Sequence, residues 1–296
     1  MKSQRSASVV LLVAVICVSS GSILIRMADA PAVTVAFYRL GYAAIIHAIL
    51  SIPGRRDYRR FDHRTFLKSL AAGAALAVHF VLWILSLDHT SVAASTVLVS
   101  FHPIFTALFA YVALGETLSR RQMFSVVLAL FGTMVIAGGA HLAGGSLLGD
   151  GLALAGGAAL AIYLLVGRQV RATISTLTYT TVVYSFAAVC VMVLILILGR
   201  PLGGGGSREH LIFVALAVIP TLLGHTLLSW SLAHIQAFDV SASVLGEPVG
   251  ATILAYFLLS EVPAPHQLAG GAMVLVALGL LLQNRNAAGR LRPLGR

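Results

Sequence analysis

Residues 86–122 read SLDHTSVAASTVLVSFHPIFTALFAYVALGETLSRRQ, and much of this stretch returns 145 positions later as SLAHIQAFDVSASVLGEPVGATILAYFLLSEVPAPHQ. The repeated residues are Ser86, Leu87, His89, Pro103, Ala110, Tyr111, Leu114, Glu116 and Gln122, which recur as Ser231, Leu232, His234, Pro248, Ala255, Tyr256, Leu259, Glu261 and Gln267. A weaker correspondence at an offset of 142 links Arg26, Phe37 and Tyr42 to Arg168, Tyr179 and Tyr184. We therefore interpret the chain as two copies of one unit, over residues 1–145 and 146–296.

The composition indicates that both copies fold in a lipid bilayer. The chain of 296 residues is 58% hydrophobic and only 10% charged. Apolar runs of about 20 residues, enough to cross a hydrocarbon core roughly 30 Å thick, recur throughout. We predict an all-α polytopic membrane protein with ten transmembrane helices, near residues 8–27, 33–53, 67–87, 92–114, 121–140, 149–169, 175–198, 210–233, 240–260 and 266–283. Internal repeats are a recurring build of transporters.

Lys and Arg fall mainly on one side of the predicted helices. With the N-terminus inside, the inner segments hold 16 of the 20 basic residues: Lys2, Arg5, Arg55, Arg56, Arg59, Arg60, Arg64, Lys68, Arg120, Arg121, Arg168, Arg171, Arg285, Arg290, Arg292 and Arg296. The outer segments hold Arg26, Arg200 and Arg208, and Arg39 lies within a span. Because basic residues favour the cytoplasmic side, we predict that both termini are cytoplasmic. Five spans per copy then make the two copies an inverted repeat.

The formal charge of +10 does not indicate a nucleic-acid partner. The basic residues are divided among short loops and form no stripe with interleaved aromatic residues. Cys17 and Cys190 both lie in apolar spans, where they imply neither a disulfide nor a metal framework. The sequence contains no GxSxG, HExxH or P-loop motif, so we expect no cofactor and no direct use of ATP.

Two corresponding stretches resemble the paired EamA domains of the drug/metabolite transporter superfamily. The first contains His102, Pro103, Leu114, Gly115, Glu116, Gln122 and Gly132, and the second contains Glu247, Pro248, Ser260, Glu261, Gln267 and Gly271. Phe37, Tyr38 and Arg39 also resemble the start of that family's second span, which carries an arginine. In the second copy, Ser260 stands in place of Gly115 and Thr181 in place of Arg39, so we infer that the halves have specialised.

This resemblance covers nearly the whole chain. It implies ten spans in two inverted halves, and export of amino acids or other small metabolites across the bacterial inner membrane.

Two ionisable residues lie deep in predicted spans. A charge at the bilayer centre costs roughly 2.5–3.5 kcal/mol on insertion scales, and it usually faces a cavity or a partner. Glu247 precedes Pro248, whose ring removes a backbone donor and leaves a carbonyl unpaired; Pro103 follows His102 in the same way. We predict a helix kink at both prolines. Two interpretations of Glu247 and Arg39 are open: a role in ion coupling or charge compensation of the solute, and a structural ion pair.

Polar and aromatic side chains at helical spacing predict a wet cavity between the copies. His79 and Trp83 stand four residues apart on one face of the third span. His225 and Ser229 do so in the eighth span, one position from strict repeat register. The predicted substrate-binding residues are His79, Trp83, Tyr38, Tyr163, His102, His225 and Ser229. In the structural alternative, each histidine bonds a neighbouring helix.

Two further motifs bear on function. Glu116 and Glu261 close the fourth and ninth spans at opposite membrane faces, and we predict that they make capping or gate-loop contacts. His234 and Asp239 have the HxxxxD spacing of glycerolipid acyltransferases, in which the histidine is the general base. Because His234 repeats His89 of the first copy, its recurrence favours a structural role.

These features predict a secondary transporter, not an enzyme, with its site near the membrane midplane between the copies. A neutral, aromatic lining with one acid and one base suits a zwitterionic or amphiphilic metabolite, and amino-acid export is the leading hypothesis. The alternatives are an exporter of cationic drugs or nucleobases, with Glu247 as the counter-charge, and a membrane lipid acyltransferase. The expected partners are a small solute, the lipid bilayer and, if Glu247 titrates, protons. Ten spans can enclose a pathway in one chain, so we expect a monomer.

Overall fold

The computed structural model describes residues 2–86, 88–90, 92–138, 146–199, 202–203 and 205–287. In these ranges the helices are α1 (Lys2–Met27), α2 (Ala32–Ser51), α3 (His63–Ser86), α4 (Val92–Val99), α5 (His102–Leu114), α6 (Arg120–Ile136), α7 (Leu147–Val170), α8 (Thr176–Ile197), α9 (Ser207–Leu216), α10 (Thr226–Ser231), α11 (Ala237–Val244), α12 (Glu247–Leu259) and α13 (Pro265–Ala287). A 3₁₀-helix (Ile52–Arg60) follows α2, and a π-helix (Ala217–His225) joins α9 to α10.

Eight segments of the described chain are long and apolar enough to cross a membrane: Ser8–Met27, Ala32–Gly54, His63–Ser86, Ala94–Ala113, Leu147–Val170, Thr176–Ile197, Ser207–Ser231 and Ala237–Leu258. Pro265–Leu281 is a shorter apolar helix and corresponds to the predicted tenth span. The predicted fifth span corresponds to α6, and its residues 139–140 lie outside the described ranges. The predicted class, an all-α polytopic membrane protein of two five-helix repeats, is confirmed.

The two repeats pack through matching elements. α5 packs against α7 as α12 packs against α1, and α3 packs along α7 as the π-helix packs along α1. Long apolar side chains fill the space between the repeats, and four of the most buried are Leu40, Leu76, Leu164 and Tyr184. Burial of such side chains against protein removes them from lipid, so dispersion contacts and close packing hold the bundle together. Five crossings in each repeat place the second repeat in the opposite orientation to the first.

The two repeated prolines lie at helix starts. Pro103 is in the first turn of α5 and Pro248 in the first turn of α12, positions where the missing backbone N–H has no partner to lose. α4 ends at Val99 and α11 at Val244, so a short turn separates the two helices of each of these spans. The sequence predicted a bend at each proline, and the structure has a full interruption of the helix.

A glycine brings α7 close to the first interruption. A Cβ added at Gly157 would lie 2.8 Å from the carbonyl oxygen of Val99, the last residue of α4. That distance is well inside ordinary contact, so only glycine permits the two backbones to approach in this way. Gly157 therefore fixes how near the interrupted span comes to the second repeat.

The π-helix surrounds Pro220 in the eighth span. A π-helical turn holds more residues than an α-helical turn and often occurs at functional sites. The extra residue in this turn changes which side chain faces the bundle interior. It agrees with the position of His225, which lies one residue beyond the position that the repeat assigns to the counterpart of His79. Thr221 in this segment supplies a side-chain oxygen to the bundle interior.

Candidate functional site

A cavity of about 60 Å³ lies where the two repeats meet. Seven of the predicted residues line it: Arg39, His79, Trp83, His102, His225, Glu247 and Pro248. Its other walls are largely apolar, with contributions from Val18, Phe80, Leu160, Leu164 and Leu228. A void of this size exceeds the space that one water needs, so the polar groups can be hydrated in the absence of a solute.

Arg39 is the most buried charge at the cavity. It is 2% exposed, and its Nε donates a hydrogen bond of 2.7 Å to Thr221 Oγ1 in the π-helix. Its guanidinium also lies 4.2 Å from the centre of the Phe80 ring, in a cation–π contact. Arg39 therefore has a fixed position that joins α2, α3 and the eighth span.

Glu247 supplies the opposite charge and begins α12. Its attraction for Arg39 acts across the cavity, but no ion pair joins the two side chains. Within the described residues its carboxylate also has no hydrogen bond. A partly buried carboxylate without a direct partner is costly, so this group has both the position and the need to accept a ligand's cation or a proton.

His79 and Trp83 form one wall of the cavity from α3. Their rings stack with centres 6.1 Å apart, and His79 Nδ1 lies 2.9 Å from the Gly156 carbonyl oxygen on α7. His79 thus makes the interhelical bond of the structural alternative and still lines the cavity. The Trp83 indole Nε1 is buried and has no hydrogen-bond partner in the described structure.

His225 reaches the cavity from the opposite repeat. Its ring meets Phe80 edge-on at 5.5 Å, and its Nδ1 is buried with no described hydrogen-bond partner. Buried polar atoms almost always have partners, so the unpaired Trp83 Nε1 and His225 Nδ1 are exceptions among the described residues that line the cavity. An indole N–H is a donor only, and it therefore needs an acceptor such as a carboxylate.

His102 lies at the edge of the cavity and is 3% exposed. Its Nδ1 lies 2.6 Å from Ser241 Oγ, and Thr106 Oγ1 donates a hydrogen bond of 3.0 Å to the same oxygen. Ser241 belongs to α11, so these bonds join α5 of the first repeat to α11 of the second. The sequence indicated His102 but gave no sign of its partner.

A larger vestibule of about 510 Å³ continues from the cavity toward one end of the bundle. Trp83, Thr96 and Glu247 line both spaces, so the two are contiguous at these side chains. At the far end of the vestibule, Arg26 Nη1 and Glu261 Oε1 form an ion pair of 3.8 Å, and both side chains are more than half exposed. The vestibule therefore reaches the surface at this ion pair, and a gate-loop role for Glu261 stays a prediction.

The remaining predicted residues lie away from the cavity. Tyr38 donates to the Leu202 carbonyl oxygen at 2.9 Å and stacks on Phe213, in a cluster beside the start of α9. Tyr163 and Ser229 bond each other at 2.8 Å inside the bundle. Neither tyrosine forms an aromatic wall at the cavity, and Pro103 does not line it.

Several residues that line the cavity were not predicted. They include Phe80, Thr96 and Ser100. Phe80 sits one residue after His79 and looked like ordinary core. Thr96 and Ser100 stand four residues apart in the first half of the fourth span, and this helical spacing is the sequence feature that points to them.

Glu116 lies at the end of α5, outside the spans, and is half-buried. Burial raises the pKa of its carboxyl group, the nearby charge of Asp239 adds to the rise, and Arg168 opposes it. Glu116 and Arg168 repeat as Glu261 and Arg26, so each acid–arginine couple joins an acid of one repeat to an arginine of the other.

The two residues of the HxxxxD spacing have separate partners. His234 Nδ1 lies 3.0 Å from the Trp230 carbonyl oxygen of its own span, and its ring stacks on that of Trp230. Asp239 accepts a hydrogen bond of 3.1 Å from Gln122 Nε2. The first contact lies within one span and the second joins α6 to α11, so both are structural contacts.

Comparison with known proteins agrees with this architecture. The chain is 24% identical over 256 residues to a probable terminal-alkyne amino-acid exporter of Streptantibioticus cattleyicolor, a match that covers 86% of this chain and 84% of that protein. It is also 24% identical over 280 residues to an uncharacterized transporter of Archaeoglobus fulgidus, covering 94% and 96% of the two chains.

One solved crystal structure has a similar fold, with a TM-score of 0.80, 16% sequence identity, and coverage of 97% of this chain and 99% of that one. The model of the EamA-like transporter family matches the chain twice, over residues 5–138 and 147–283. The protein therefore belongs to the EamA-like transporter family.

Proposed function

We propose that this protein exports amino acids or similar small amphiphilic metabolites across the bacterial inner membrane by alternating access. The observation that carries the proposal is the polar pattern of the cavity. Trp83 and His225, each with one buried nitrogen that has no described partner, line the same small cavity as Glu247. A zwitterion presents both an anionic and a cationic group, and it therefore satisfies both sides of this pattern at once.

Each end of the solute has a matching site. The substrate carboxylate accepts from the indole N–H of Trp83 and from His225 when its Nδ1 carries the proton. The substrate ammonium donates to Glu247, which has no other described hydrogen bond. The apolar walls formed by Leu160 and Leu164 suit an uncharged side chain. The probable function of the Streptantibioticus cattleyicolor relative, export of a terminal-alkyne amino acid, supports this class of solute.

The distribution of Lys and Arg supports an orientation with cytoplasmic termini. In that orientation the end of the bundle with Arg26 and Glu261 faces outward, and the vestibule is the exit path. A proton gradient is the proposed source of energy. A proton from outside reaches Glu247 through the vestibule, neutralises its carboxylate and releases the bound ammonium.

The test is efflux of a panel of labelled amino acids from proteoliposomes, with and without an imposed pH gradient. We expect selective efflux that the gradient accelerates in the wild type and no longer accelerates in Glu247→Gln. A matched control is Glu261→Gln, which removes an exposed acid at the vestibule mouth and leaves the central carboxylate in place. Gradient-dependent efflux that survives in Glu247→Gln would reject Glu247 as the proton site.

A second candidate, an exporter of cationic drugs or nucleobases, is favoured by the same unpaired carboxylate. For a hydrophobic cation, Glu247 is the counter-charge, and Phe80 and Trp83 supply aromatic faces. Competition separates the two candidates. Inhibition of efflux by hydrophobic cations, with no inhibition by amino acids, would favour the second candidate over the first.

A further inference from the structure

The repeat places two polar couples in equivalent positions. The register that aligns the two interrupting prolines also aligns His102 with Glu247, and Ser241 with Thr96. Each couple thus consists of one residue just before the proline and one residue on the short helix of the other repeat. The equivalent elements are α5 with α11 in one case, and α12 with α4 in the other.

The two residues of the first couple are hydrogen-bonded to each other, and we call this couple closed. His102 Nδ1 and Ser241 Oγ lie 2.6 Å apart, Thr106 adds a second bond to that oxygen, and all three side chains are buried. α5 packs directly against α11 at this place. These contacts hold α5 against α11 at this edge of the cavity.

The two residues of the second couple are not hydrogen-bonded to each other, and we call this couple open. Thr96 and Glu247 line both the cavity and the vestibule, and Glu247 makes no hydrogen bond with Thr96. The vestibule separates α4 from α12, and the close packing of α5 with α11 has no counterpart between these two helices in the described structure. These two couples therefore depart from the twofold symmetry of the repeats.

We propose that His102–Ser241 and Thr96–Glu247 are alternative locks, and that one forms as the other breaks. The proposal rests on the alternating access proposed above. An inverted repeat reaches its second state when the two halves exchange conformations, and the exchange here brings α4 onto α12 and releases α5 from α11. In that state the Thr96 hydroxyl donates to the Glu247 carboxylate and the vestibule closes.

The chemistry of Glu247 links the second lock to the solute. A carboxylate has two oxygens and about four acceptor sites, so it can accept from the Thr96 hydroxyl and from a substrate ammonium together. The bond from Thr96 is then charge-assisted, which makes it stronger than a bond between neutral groups. His102 has no comparable second acceptor, so the two locks differ in their response to the solute.

Accessibility of the vestibule tests the exchange without any substrate. A cysteine at Thr252, which lines the vestibule, is placed in a background with Cys17→Ala and Cys190→Ala, and its rate of maleimide labelling is measured in the purified full-length protein. Ser241→Ala removes the closed lock, and we expect labelling to slow by up to about threefold, the effect of losing one interhelical hydrogen bond in a membrane protein. Addition of Thr96→Val removes the competing lock and is expected to restore the wild-type rate.

The matched control is Ser125→Ala. Ser125 is equally buried, and its hydroxyl donates to the Arg121 carbonyl oxygen of its own helix, so the labelling rate is expected to stay unchanged. Monodisperse elution of each variant shows that it folds. A wild-type rate in Ser241→Ala, or further slowing when Thr96→Val is added, overturns the proposal.

The outcome is independent of the proposed substrate. Absence of efflux for every amino acid, combined with the expected labelling pattern, would reject amino-acid export and keep the locks. Amino-acid efflux combined with an unresponsive labelling rate would reject the locks and keep the transport function.

Discussion

The indole nitrogen of Trp83 is the most specific donor at the cavity. It is buried without a described partner, and the only other tryptophan, Trp230, lies outside the cavity beside His234. Trp83→Phe keeps an aromatic ring and removes the donor. Because a hydrogen bond to a charged group contributes about 1.5–3 kcal/mol, we expect KM for efflux to rise at least tenfold, with little change in thermal stability. Trp230→Phe is the control, and an equal rise in KM for both variants would contradict the assignment.

Variants of Arg39 and Glu247 test how far each buried charge stabilises the other. Arg39→Gln removes the cation opposite a partly buried carboxylate, together with the bond to Thr221, and we expect a loss of about 3 kcal/mol in the free energy of unfolding. The second change Glu247→Gln removes the uncompensated acid, so the double variant is expected to regain part of that loss. Thermal unfolding in detergent measures both effects.

An exposed arginine supplies the comparison. The Arg208 side chain is 69% exposed and pairs with the buried Glu209, which also accepts a hydrogen bond from the Asp29 backbone N–H, so Arg208→Gln is expected to lower the free energy of unfolding by less than Arg39→Gln does. If the double variant at Arg39 and Glu247 is less stable than Arg39→Gln alone, the two charges do not compensate each other.

At the scale of the elements, Gly157 of α7 is a position where the close approach of the α7 and α4 backbones can be tested directly. An alanine at Gly157 would place its Cβ 2.8 Å from the Val99 carbonyl oxygen, which is backbone and cannot rotate away. We expect Gly157→Ala to lower the unfolding temperature and to slow efflux, because the interrupted span must move. Gly151→Ala, on the same helix with open space around it, is expected to be neutral or stabilising by up to about 1 kcal/mol. Equal stability of the two variants would show that the contact is not tight.

The sequence predicted the elements better than their interior details. The recurrence of Pro103 as Pro248 predicted the repeat and the disturbed spans, because a missing backbone donor has the same consequence in any helix. Periodicity could not distinguish a kink from the interruption that the structure has, since both leave the same apolar pattern. The π-helix around Pro220 is visible only as a one-position shift between His79 and His225.

Sequence alone predicted those residues of the candidate site whose charged or polar side chains are costly to place in lipid. Arg39, His79, Glu247 and their polar neighbours are expensive in lipid, and the cavity contains them. Tyr38 was misplaced because a tyrosine has a stable position both at an interface and beside a cavity. Which polar couple is closed was not predictable, because two related packings of one sequence differ by only a few kcal/mol.

At the scale of the whole molecule, the predicted orientation can be tested with two exposed arginines at opposite ends of the bundle. The side chains of Arg60, before α3, and Arg208, at the start of α9, are both about 70% exposed, at 72% and 69%. Each is replaced by cysteine in the background with Cys17→Ala and Cys190→Ala, and right-side-out membrane vesicles are treated with an impermeant maleimide. Because basic residues remain on the cytoplasmic side, we expect Arg208→Cys to be labelled at once and Arg60→Cys only after permeabilisation.

The same measurement decides which way the open vestibule faces. Arg208 donates from Nη2 to the Met27 carbonyl oxygen at 3.3 Å, so it lies beside the end of α1 where Arg26 pairs with Glu261. Labelling of Arg208→Cys from outside would place the vestibule mouth on that side and make this shape the one from which an exporter releases its solute. Labelling of Arg60→Cys from outside would reverse the orientation, and the same vestibule would then admit solute from the cytoplasm.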